Sequence, residues 1–526
     1  MKRYIISPIF LAVITFLCLG PVTAQRKNVL FIAVDDLKPI LGCYGDTLIH
    51  TPNMNRLASE GIVFTNCHCQ QAVCAPSRAS LMTGMRPDRT RIWDLKTWIR
   101  DMNPDILTIP QYFMQNGYFC TGAGKVFDRR SVDKSHDSLS WSEPFLFFGD
   151  SSHYHPVYGA PVLAYYQLPE TREIVERLTP EAISKGLKRF AIKQYVMNTI
   201  KPSTECADVP DNAYIDGNLA LTAIERLERI ATQGQPFFLA VGFKRPHLPF
   251  VAPKKYWDLY EREKMPLAEF QRPPEDGPRI ALHSSNELRS YTDIPNLSVS
   301  SDTVGWLSET KQRELVHGYY ASVSYIDAMI GKIIRSIDSL GLRENTVIVL
   351  WGDHGWHLGD HSMWCKHSNF EQATRAPLIF SSPGIRVRRS SAPVEFVDIF
   401  PTLCDLTGIE KPGHLDGRSL LPIMNGTRKK TKKYAVSQYP RQETMGYAFR
   451  DDRYRYVVWL GNNYRSTERF DPQYIAAEEL YDYRNDPLET VNFAHRREYE
   501  KVIQEMRAYS IEFFNANSKS INPNQQ

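Results

Sequence analysis

The chain has 526 residues, of which 42% are hydrophobic and 23% charged, and its formal net charge is +4. This composition is that of a globular protein and excludes a disordered or fibrous chain. The length accommodates either two to four domains or one large enzyme domain with an appended unit. The small net charge gives no indication of a nucleic-acid partner.

The N-terminus has the pattern of an export signal. Lys2 and Arg3 precede an apolar run over residues 4–19, and small residues follow at 22–24 (VTA). We therefore expect a signal peptide over residues 1–24 and an exported protein in a periplasmic, secreted or lysosome-like compartment. An uncleaved anchor is the alternative, although the run is short for a membrane span of about 20 residues. No later segment is apolar for long enough to span a membrane, so we expect no membrane association after cleavage.

Three apolar runs predict strands buried on both faces of a parallel sheet. They are residues 28–34 (NVLFIAV), 236–241 (PFFLAV) and 346–351 (TVIVLW), and helical periodicity at residues 218–230 and 319–340 precedes the second and third. Strands alternating with helices predict an α/β fold with a mostly parallel sheet sandwiched by helices.

A polar motif follows each predicted strand. These motifs are Asp35-Asp36, Lys244-Arg245-Pro246-His247 and Asp353-His354-Gly355. Ligands bind where the carboxyl ends of such strands meet loops. Three such motifs at three strand ends favour one shared site.

Composition and periodicity predict how the remaining segments are organised. Residues 147–203 have weak periodicity and many aromatic residues, which predicts an elaborated loop region and a candidate for substrate selection. Residues 426–433 (GTRKKTKK) predict an exposed linker. We expect a catalytic domain over residues 25–428 and a smaller α+β subdomain over 429–526, which includes a strand at 454–460 and an amphipathic helix at 498–515.

Adjacent carboxylates at the end of a buried strand indicate a cation. Asp35 and Asp36 repel one another unless a metal is present, and their oxygen atoms suit calcium or magnesium, with Asp353 as a third ligand. The alternative is that Asp35 caps a helix and Asp36 faces solvent. Residues 67–69 (CHC) also suggest zinc, but no second ligand pair stands at zinc-like spacing. The disulfide connectivity of the eight cysteines that follow the leader stays open.

Residues 74–84 (CAPSRASLMTG) predict a helix with a nucleophile at its start. Pro76 suits the first turn and Gly84 suits the end, so Cys74 would lie at the N-terminus, where backbone N–H groups attract an anion. From these residues alone, a thiolate enzyme with a lowered cysteine pKa and an inert buried cysteine both remain open.

The segment from Cys74 to Arg78 with the following Thr83-Gly84 resembles the C-x-P-S-R…T-G signature of the type I sulfatases. The similarity covers essentially the whole mature chain and is nearest to the branch that contains iduronate-2-sulfatase. It is carried by the segments 70–78 (QQAVCAPSR), 86–88 (RPD), 124–127 (GKVF), 319–327 (YYASVSYID), 353–356 (DHGW), 368–370 (SNF), 437–441 (SQYPR) and 480–489 (LYDYRNDPLE).

The resemblance implies an alkaline-phosphatase-like fold, one Ca²⁺ per chain and oxidation of Cys74 to formylglycine by a separate maturation enzyme. It implies calcium ligation by Asp35, Asp36, Asp353 and His354 together with the modified Cys74. Arg78 and Lys125 would hold and neutralise formylglycine, Lys366 would bind the sulfate, and His247 would protonate the leaving sugar oxygen. One hydroxyl of the hydrated aldehyde would attack sulfur, and the other would expel sulfate.

The implied function is exo-acting hydrolysis of a carbohydrate sulfate ester, specifically the 2-O-sulfate of a terminal uronic acid in a glycosaminoglycan-like oligosaccharide. One position departs from the pattern, since relatives read GKVFH and this chain has Asp128 in place of that histidine. Either His361 or His367 replaces that contact, or the substrate differs. The alternatives are a phosphomonoesterase or phosphonate hydrolase of the same superfamily, and a non-catalytic protein that binds sulfated glycans.

Overall fold

The computed structural model describes residues 26–295, 307–465 and 471–518, so the predicted leader lies outside the described residues. Nine helices of seven or more residues occur in this part of the chain: α1 (Pro52–Ser59), α2 (Cys74–Thr83), α3 (Ile109–Gln115), α4 (Pro169–Ser184), α5 (Phe190–Thr199), α6 (Ile215–Ala231), α7 (Glu309–Ser339), α8 (Ile399–Thr407) and α9 (Glu500–Ser518). Four-residue helices are Pro87–Thr90, Ile99–Met102, Lys254–Trp257, Asn286–Arg289, Glu371–Thr374 and Leu421–Met424.

A seven-stranded mixed sheet forms the centre of the molecule. Its strands are β1 (Asn28–Val34), β2 (Ile62–Phe64), β3 (Phe119–Gly124), β4 (Phe237–Phe243), β5 (Thr346–Gly352), β6 (Leu378–Ser381) and β7 (Arg389–Ser390), in the order β7-β2-β6-β5-β1-β4-β3. Strands β3, β4, β1 and β5 are parallel, whereas β6 is antiparallel to both β5 and β2. The carboxyl ends of β1, β4 and β5 therefore lie side by side, as the sequence predicts.

Helices cover both faces of this sheet because alternate side chains of β1 point to opposite sides. Leu30 and Ile32 share a core with residues of α6 and α7, whereas Phe31 packs in a second core that contains residues of α2 and α8. Every residue of β1, β4 and β5 is buried. The continuous apolar runs that predict these strands are thus explained by burial on two faces.

The C-terminal part contains a four-stranded antiparallel sheet of β8 (Ala435–Arg441), β9 (Thr444–Arg450), β10 (Tyr454–Leu460) and β11 (Ile475–Asp482). Helix α9 packs on it, with Met506 in one core with side chains of β9 and β10. The predicted strand at 454–460 is confirmed. The boundary between residues 428 and 429 stays a prediction. Within the predicted linker, Lys432 is held by Asp398 at 2.7 Å and by Glu395.

The interpretation of residues 147–203 as a loop region was wrong in part, because helices α4 and α5 lie there. In α4 only Thr171, Leu178 and Ala182 are buried, and in α5 only Val196. Helices that bury so few side chains lack the apolar stripe that sequence periodicity detects.

The eight cysteines from Cys43 to Cys404 are free thiols. At the Cys-His-Cys segment, Nε2 of His68 lies 2.8 Å from Oδ1 of Asn66 and Nδ1 lies 3.3 Å from Oγ1 of Thr374. These contacts give His68 a structural role, and the segment is not among the groups of potential metal ligands found in residues 26–295, 307–465 and 471–518. Among the helices of those three ranges, none combines the length and the hydropathy that a transmembrane span requires.

Candidate active site

The carboxylates predicted to bind metal meet where β1 and β5 end. Asp35 and Asp36 follow β1, and Asp353 follows β5. The backbone N–H of Asp36 donates to Oδ1 of Asp353 at 2.9 Å, and the Tyr319 hydroxyl donates to the Asp36 carbonyl at 2.7 Å. Asp36 has a φ of 59°, a left-handed conformation that Asp adopts more readily than most residues. These contacts fix the turn after β1.

Two overlapping groups of potential metal ligands share this position. One consists of Asp36, Cys74, Asp353 and His354, and the other joins Asp35 and His247 to Asp36 and Cys74, with the ligand atoms of each group within 4.8 Å of one another. Burial raises the pKa of Asp36 well above its usual range, although the charge of Lys366 opposes this rise. Three buried carboxylates supply the oxygen donors that a hard divalent cation prefers, so the donor set fits Ca²⁺.

Arg78 contacts two of these carboxylates and is fully buried. Its Nη2 donates to Oδ1 of Asp35 at 2.8 Å, and its Nε donates to Oδ2 of Asp353 at 3.0 Å. The guanidinium also donates to the carbonyls of Lys125 and Val126. Arg78 therefore links the ends of β1 and β5 with the chain that follows β3.

Two buried lysines lie on either side of the Asp35-Asp36 pair. Nζ of Lys125 donates to Oδ2 of Asp35 at 2.6 Å, and Nζ of Lys366 donates to both carboxylate oxygens of Asp36 at 3.0 and 3.2 Å. Burial opposes ionisation of Asp35, but Lys125 and Arg78 outweigh it and hold its pKa well below its usual range. The predicted lysines thus reach the predicted carboxylates.

Cys74 is the first residue of α2, and Gly84 ends that helix in a left-handed conformation with φ of 67°. Both ends agree with the sequence prediction. The thiol sulfur lies 3.5 Å from Nε2 of His354. Burial raises the pKa of the Cys74 thiol well above its usual range, despite the opposing charge of Lys125.

His247 is positioned by backbone and carboxylate contacts. Its Nδ1 lies 2.6 Å from the carbonyl oxygen of Leu248, which only accepts, so Nδ1 carries a proton. Its Nε2 faces two carboxylates, 3.2 Å from Oε1 of Glu287 and 3.8 Å from Oδ2 of Asp36. Burial lowers the pKa of His247 to about 3, and Lys366 adds to this effect. Nε2 is the ring atom directed toward the site.

Glu287 is a residue of the site that the sequence analysis missed. It lies on the four-residue helix Asn286–Arg289, and its carboxylate is 3.0 Å from Nζ of Lys366, 3.2 Å from Nε2 of His247 and 3.2 Å from Nε2 of His367. No motif or periodicity marks this position. His367, a predicted substrate contact, also has Nδ1 2.8 Å from the Tyr439 hydroxyl.

The other two predicted substrate contacts are placed differently. Asp128 lies 3.7 Å from Nζ of Lys125 and is bound to Arg130. His361 is directed to the C-terminal part, with Nε2 3.0 Å from the carbonyl oxygen of Leu488 and its ring stacked on Phe370 at 4.3 Å. Within the parts of the chain that the structure describes, His361 makes no contact with the carboxylates or Cys74.

Comparison with known proteins places this geometry in a family. A profile described as Sulfatase matches residues 27–409, and one described as N-sulphoglucosamine sulphohydrolase, C-terminal matches residues 359–514. The chain belongs to the sulfatase family. The sulfatase is 33% identical to the iduronate 2-sulfatase of Mus musculus, an alignment that covers 93% of this chain and 94% of the relative. It is accordingly a sulfuric ester hydrolase. The alternative of a non-catalytic protein that binds sulfated glycans is therefore excluded.

Solved structures confirm the predicted alkaline-phosphatase-like fold of the sulfatase. A protein described as a 2-O GAG sulfatase matches with a TM-score of 0.63 and 22% identity, covering 94% of this chain and 93% of that chain. A phosphonate monoester hydrolase of Agrobacterium radiobacter matches with a TM-score of 0.66 and 22% identity, covering 94% and 96%. Because both chemistries occur on this fold, the fold alone does not identify the ester.

Proposed function

We propose that this sulfatase is an exo-acting carbohydrate 2-O-sulfatase that removes the sulfate of a terminal uronic acid from a glycosaminoglycan-like oligosaccharide, through formylglycine made from Cys74. The observation that carries this proposal is the position of Cys74, at the start of α2 and in one ligand group with Asp36, Asp353 and His354. A helix N-terminus attracts the anionic sulfate to the residue that is modified.

The proposed reaction needs two groups that the sequence does not encode, a calcium ion and a formylglycine side chain. Asp35, Asp36, Asp353, His354 and the modified Cys74 would hold Ca²⁺, which acts as a Lewis acid on sulfate oxygens when bound. Formylglycine, formed by a maturation enzyme that is a partner of the chain, supplies a hydrated aldehyde as the nucleophile. We place the protein in an exported compartment because a signal peptide is predicted at residues 1–24.

The encoded residues bind the sulfate and transfer the proton. Lys366 is buried and contacts Asp36 and Glu287, so its charge would act on an anion with little screening by water once Ca²⁺ neutralises Asp36. Arg78 and Lys125 neutralise the carboxylate of Asp35, which would otherwise repel the incoming sulfate. A bound sulfate raises the pKa of His247, because an opposite charge nearby favours the imidazolium. His247 then donates the Nε2 proton to the leaving sugar oxygen.

Two observations support the choice of substrate. The identity of 33% with iduronate 2-sulfatase over most of both chains favours a uronate 2-sulfate. Cys74, Arg78 and Lys366 are each 2% exposed or less, and a recessed site admits the end of a sugar chain more readily than its middle. This geometry favours exo action.

A panel of defined sulfated mono- and disaccharides tests the proposal by measurement of released sulfate. We expect release from a 2-O-sulfated uronic acid at the non-reducing end and none from the same residue within a chain. Phosphate and phosphonate monoesters serve as the comparison. Hydrolysis of these esters with no sulfate release from any sugar would contradict the proposal in favour of the phosphoesterase alternative.

A further inference from the structure

A line of alternating charges leads from Asp35 to the edge of the site. Nζ of Lys125 lies 2.6 Å from Oδ2 of Asp35 and 3.7 Å from Oδ2 of Asp128. Asp128 in turn accepts from Nε and Nη2 of Arg130 at 2.9 and 2.8 Å. Asp128 is buried, whereas 46% of the Arg130 side chain is exposed. The line therefore ends at a cation accessible from solvent.

The Arg130 guanidinium is linked by ion pairs to the carboxylate beside the nucleophile. Burial lowers the pKa of the Arg130 guanidinium, but hydrogen bonds and charge from Asp128 outweigh it, and Cys74 and Asp35 raise that pKa further. The ion pairs through Lys125 connect Arg130 to Asp35, and a carboxylate oxygen of Asp35 lies within 4.8 Å of the Cys74 sulfur. Because the three contacts of 2.6, 3.7 and 2.8 Å share their atoms, Nη2 of Arg130 lies at most about 9 Å from Oδ2 of Asp35.

One edge of the Arg130 guanidinium is occupied and the other is open. A guanidinium has five N–H donors in a planar fork and can form paired hydrogen bonds on more than one edge. Asp128 uses Nε and Nη2 and also accepts from the Arg130 backbone N–H at 3.0 Å, which fixes the orientation. Nη1 has no acceptor among the residues described. A carboxylate matches this open edge.

Neighbouring cations are less suited to this role. Nζ of Lys244 lies 4.5 Å from the ring centre of Phe147 and 4.3 Å from that of Phe148. Burial lowers the pKa of Lys244 to about 7, so this side chain is only partly charged near neutral pH. Arg129 is stacked 5.8 Å over Phe147 and forms no ion pair with Asp128 in the described structure.

We infer that Arg130, positioned by Asp128, binds the carboxylate of the uronic acid that carries the scissile sulfate. This inference rests on the proposed function and adds to it the residue that distinguishes a uronic acid from a neutral sugar. The inference also explains why this chain has Asp128 where relatives have histidine. Asp128 orients Arg130 through hydrogen bonds, and its own carboxylate does not contact the anionic substrate.

Arg130→Gln tests the inference with two substrates. One is a 2-O-sulfated uronic acid, and the other is the same sugar with its carboxylate reduced to a hydroxymethyl group. We expect the variant to raise KM for the uronic acid on the order of tenfold with little change in kcat, since a charge-assisted paired bond is lost. For the reduced sugar we expect wild-type kinetics, which also shows that the variant is folded.

Two further variants test whether the position of the charge and the planar shape of the guanidinium matter for binding. Arg129→Gln removes the adjacent exposed charge and should change KM for either sugar by no more than about twofold. Arg130→Lys keeps the charge but not the planar fork, so its KM for the uronic acid should lie between the wild-type and Arg130→Gln values. The reduced sugar should again be hydrolysed as by the wild type.

Several results would overturn the inference. Equal losses on both sugars would assign Arg130 a purely structural role through Asp128. A dependence on Arg130 seen only with a neutral sugar that carries a second sulfate would show that the anion is not a carboxylate. Unaltered KM values while the wild type releases sulfate from the uronic acid would contradict this inference alone. Failure of the wild type on every sugar would contradict the proposed function as well.

Discussion

The guanidinium of Arg78 and the carboxylate of Asp35 form an ion pair with Nη2 and Oδ1 2.8 Å apart, and both side chains are almost completely inaccessible to solvent. The same guanidinium pairs with Asp353 at 3.0 Å. One arginine thus balances two carboxylates that lie on neighbouring strand ends. Because water does not reach these side chains, it cannot replace the charge of Arg78. The ion pair therefore stabilises the fold as well as the site.

Replacement of Arg78 by alanine should lower the free energy of unfolding by about 3–5 kcal/mol, because the buried Asp353 loses its arginine partner and the buried Asp35 keeps only Lys125. Arg229→Ala is the control, since that arginine pairs with Glu143 on the surface and its loss should cost less than about 1 kcal/mol. Denaturant unfolding of both variants with a chelator present measures the difference. Equal losses in the two variants would show that Arg78 is not required to balance the buried charges.

Asp36→Ala should abolish turnover and weaken binding of Ca²⁺, because Asp36 belongs to both groups of potential ligands at the site. Calcium titration of chelator-treated protein by calorimetry measures the binding, and sulfate release measures turnover. Asp258→Ala, which alters an exposed carboxylate paired with Lys254, is the matched control and should leave both quantities unchanged. Wild-type activity in chelator-treated Asp36→Ala would refute the metal assignment.

His247→Ala should reduce kcat for a sugar sulfate by about 10²–10³-fold and have a much smaller effect on an aryl sulfate. A phenolate leaves without protonation, whereas a sugar alkoxide needs the proton that Nε2 supplies. Glu287→Gln should show the same pattern more weakly, because the Glu287 carboxylate raises the pKa of His247. Steady-state kinetics with both substrates gives the ratio. A loss equal for both leaving groups would argue against proton donation by His247.

His68 predicts a pH dependence of stability. Burial lowers its pKa in the folded protein from 6.5 to about 3. Below pH 6.5 the His68 side chain binds a proton in the unfolded chain but not in the folded protein. Protonation therefore favours the unfolded chain, and the folded protein loses stability as the pH falls toward 3. The loss amounts to about 2 kcal/mol between pH 7 and pH 5.

The measurement is denaturant unfolding of the wild type and of His68→Gln at both pH values. The stability difference between the two proteins should shrink by that amount at the lower pH, because glutamine does not titrate. A difference that is constant with pH would contradict a neutral, buried His68.

Much of the site could be predicted because the chemistry lies at strand ends and in one motif. The strand at 28–34 is found as predicted, since burial on both faces leaves an uninterrupted apolar run. Helix α7 begins at Glu309, before the predicted start at residue 319, because its first turns are polar. Glu287 could not be predicted, because its contacts are with His247, Lys366 and His367, which are distant in sequence. Arg130 lies outside every motif, and only the structure shows that Asp128 binds it.

The most direct test of the account is mass spectrometry of the tryptic peptide that contains Cys74 and ends at Arg78, taken from enzyme of measured specific activity. We predict the mass of an aldehyde in place of the thiol, in a fraction that rises in proportion to activity across preparations. Cys74→Ala should then be inactive while still folded. An unmodified thiol in fully active enzyme would contradict the formylglycine mechanism.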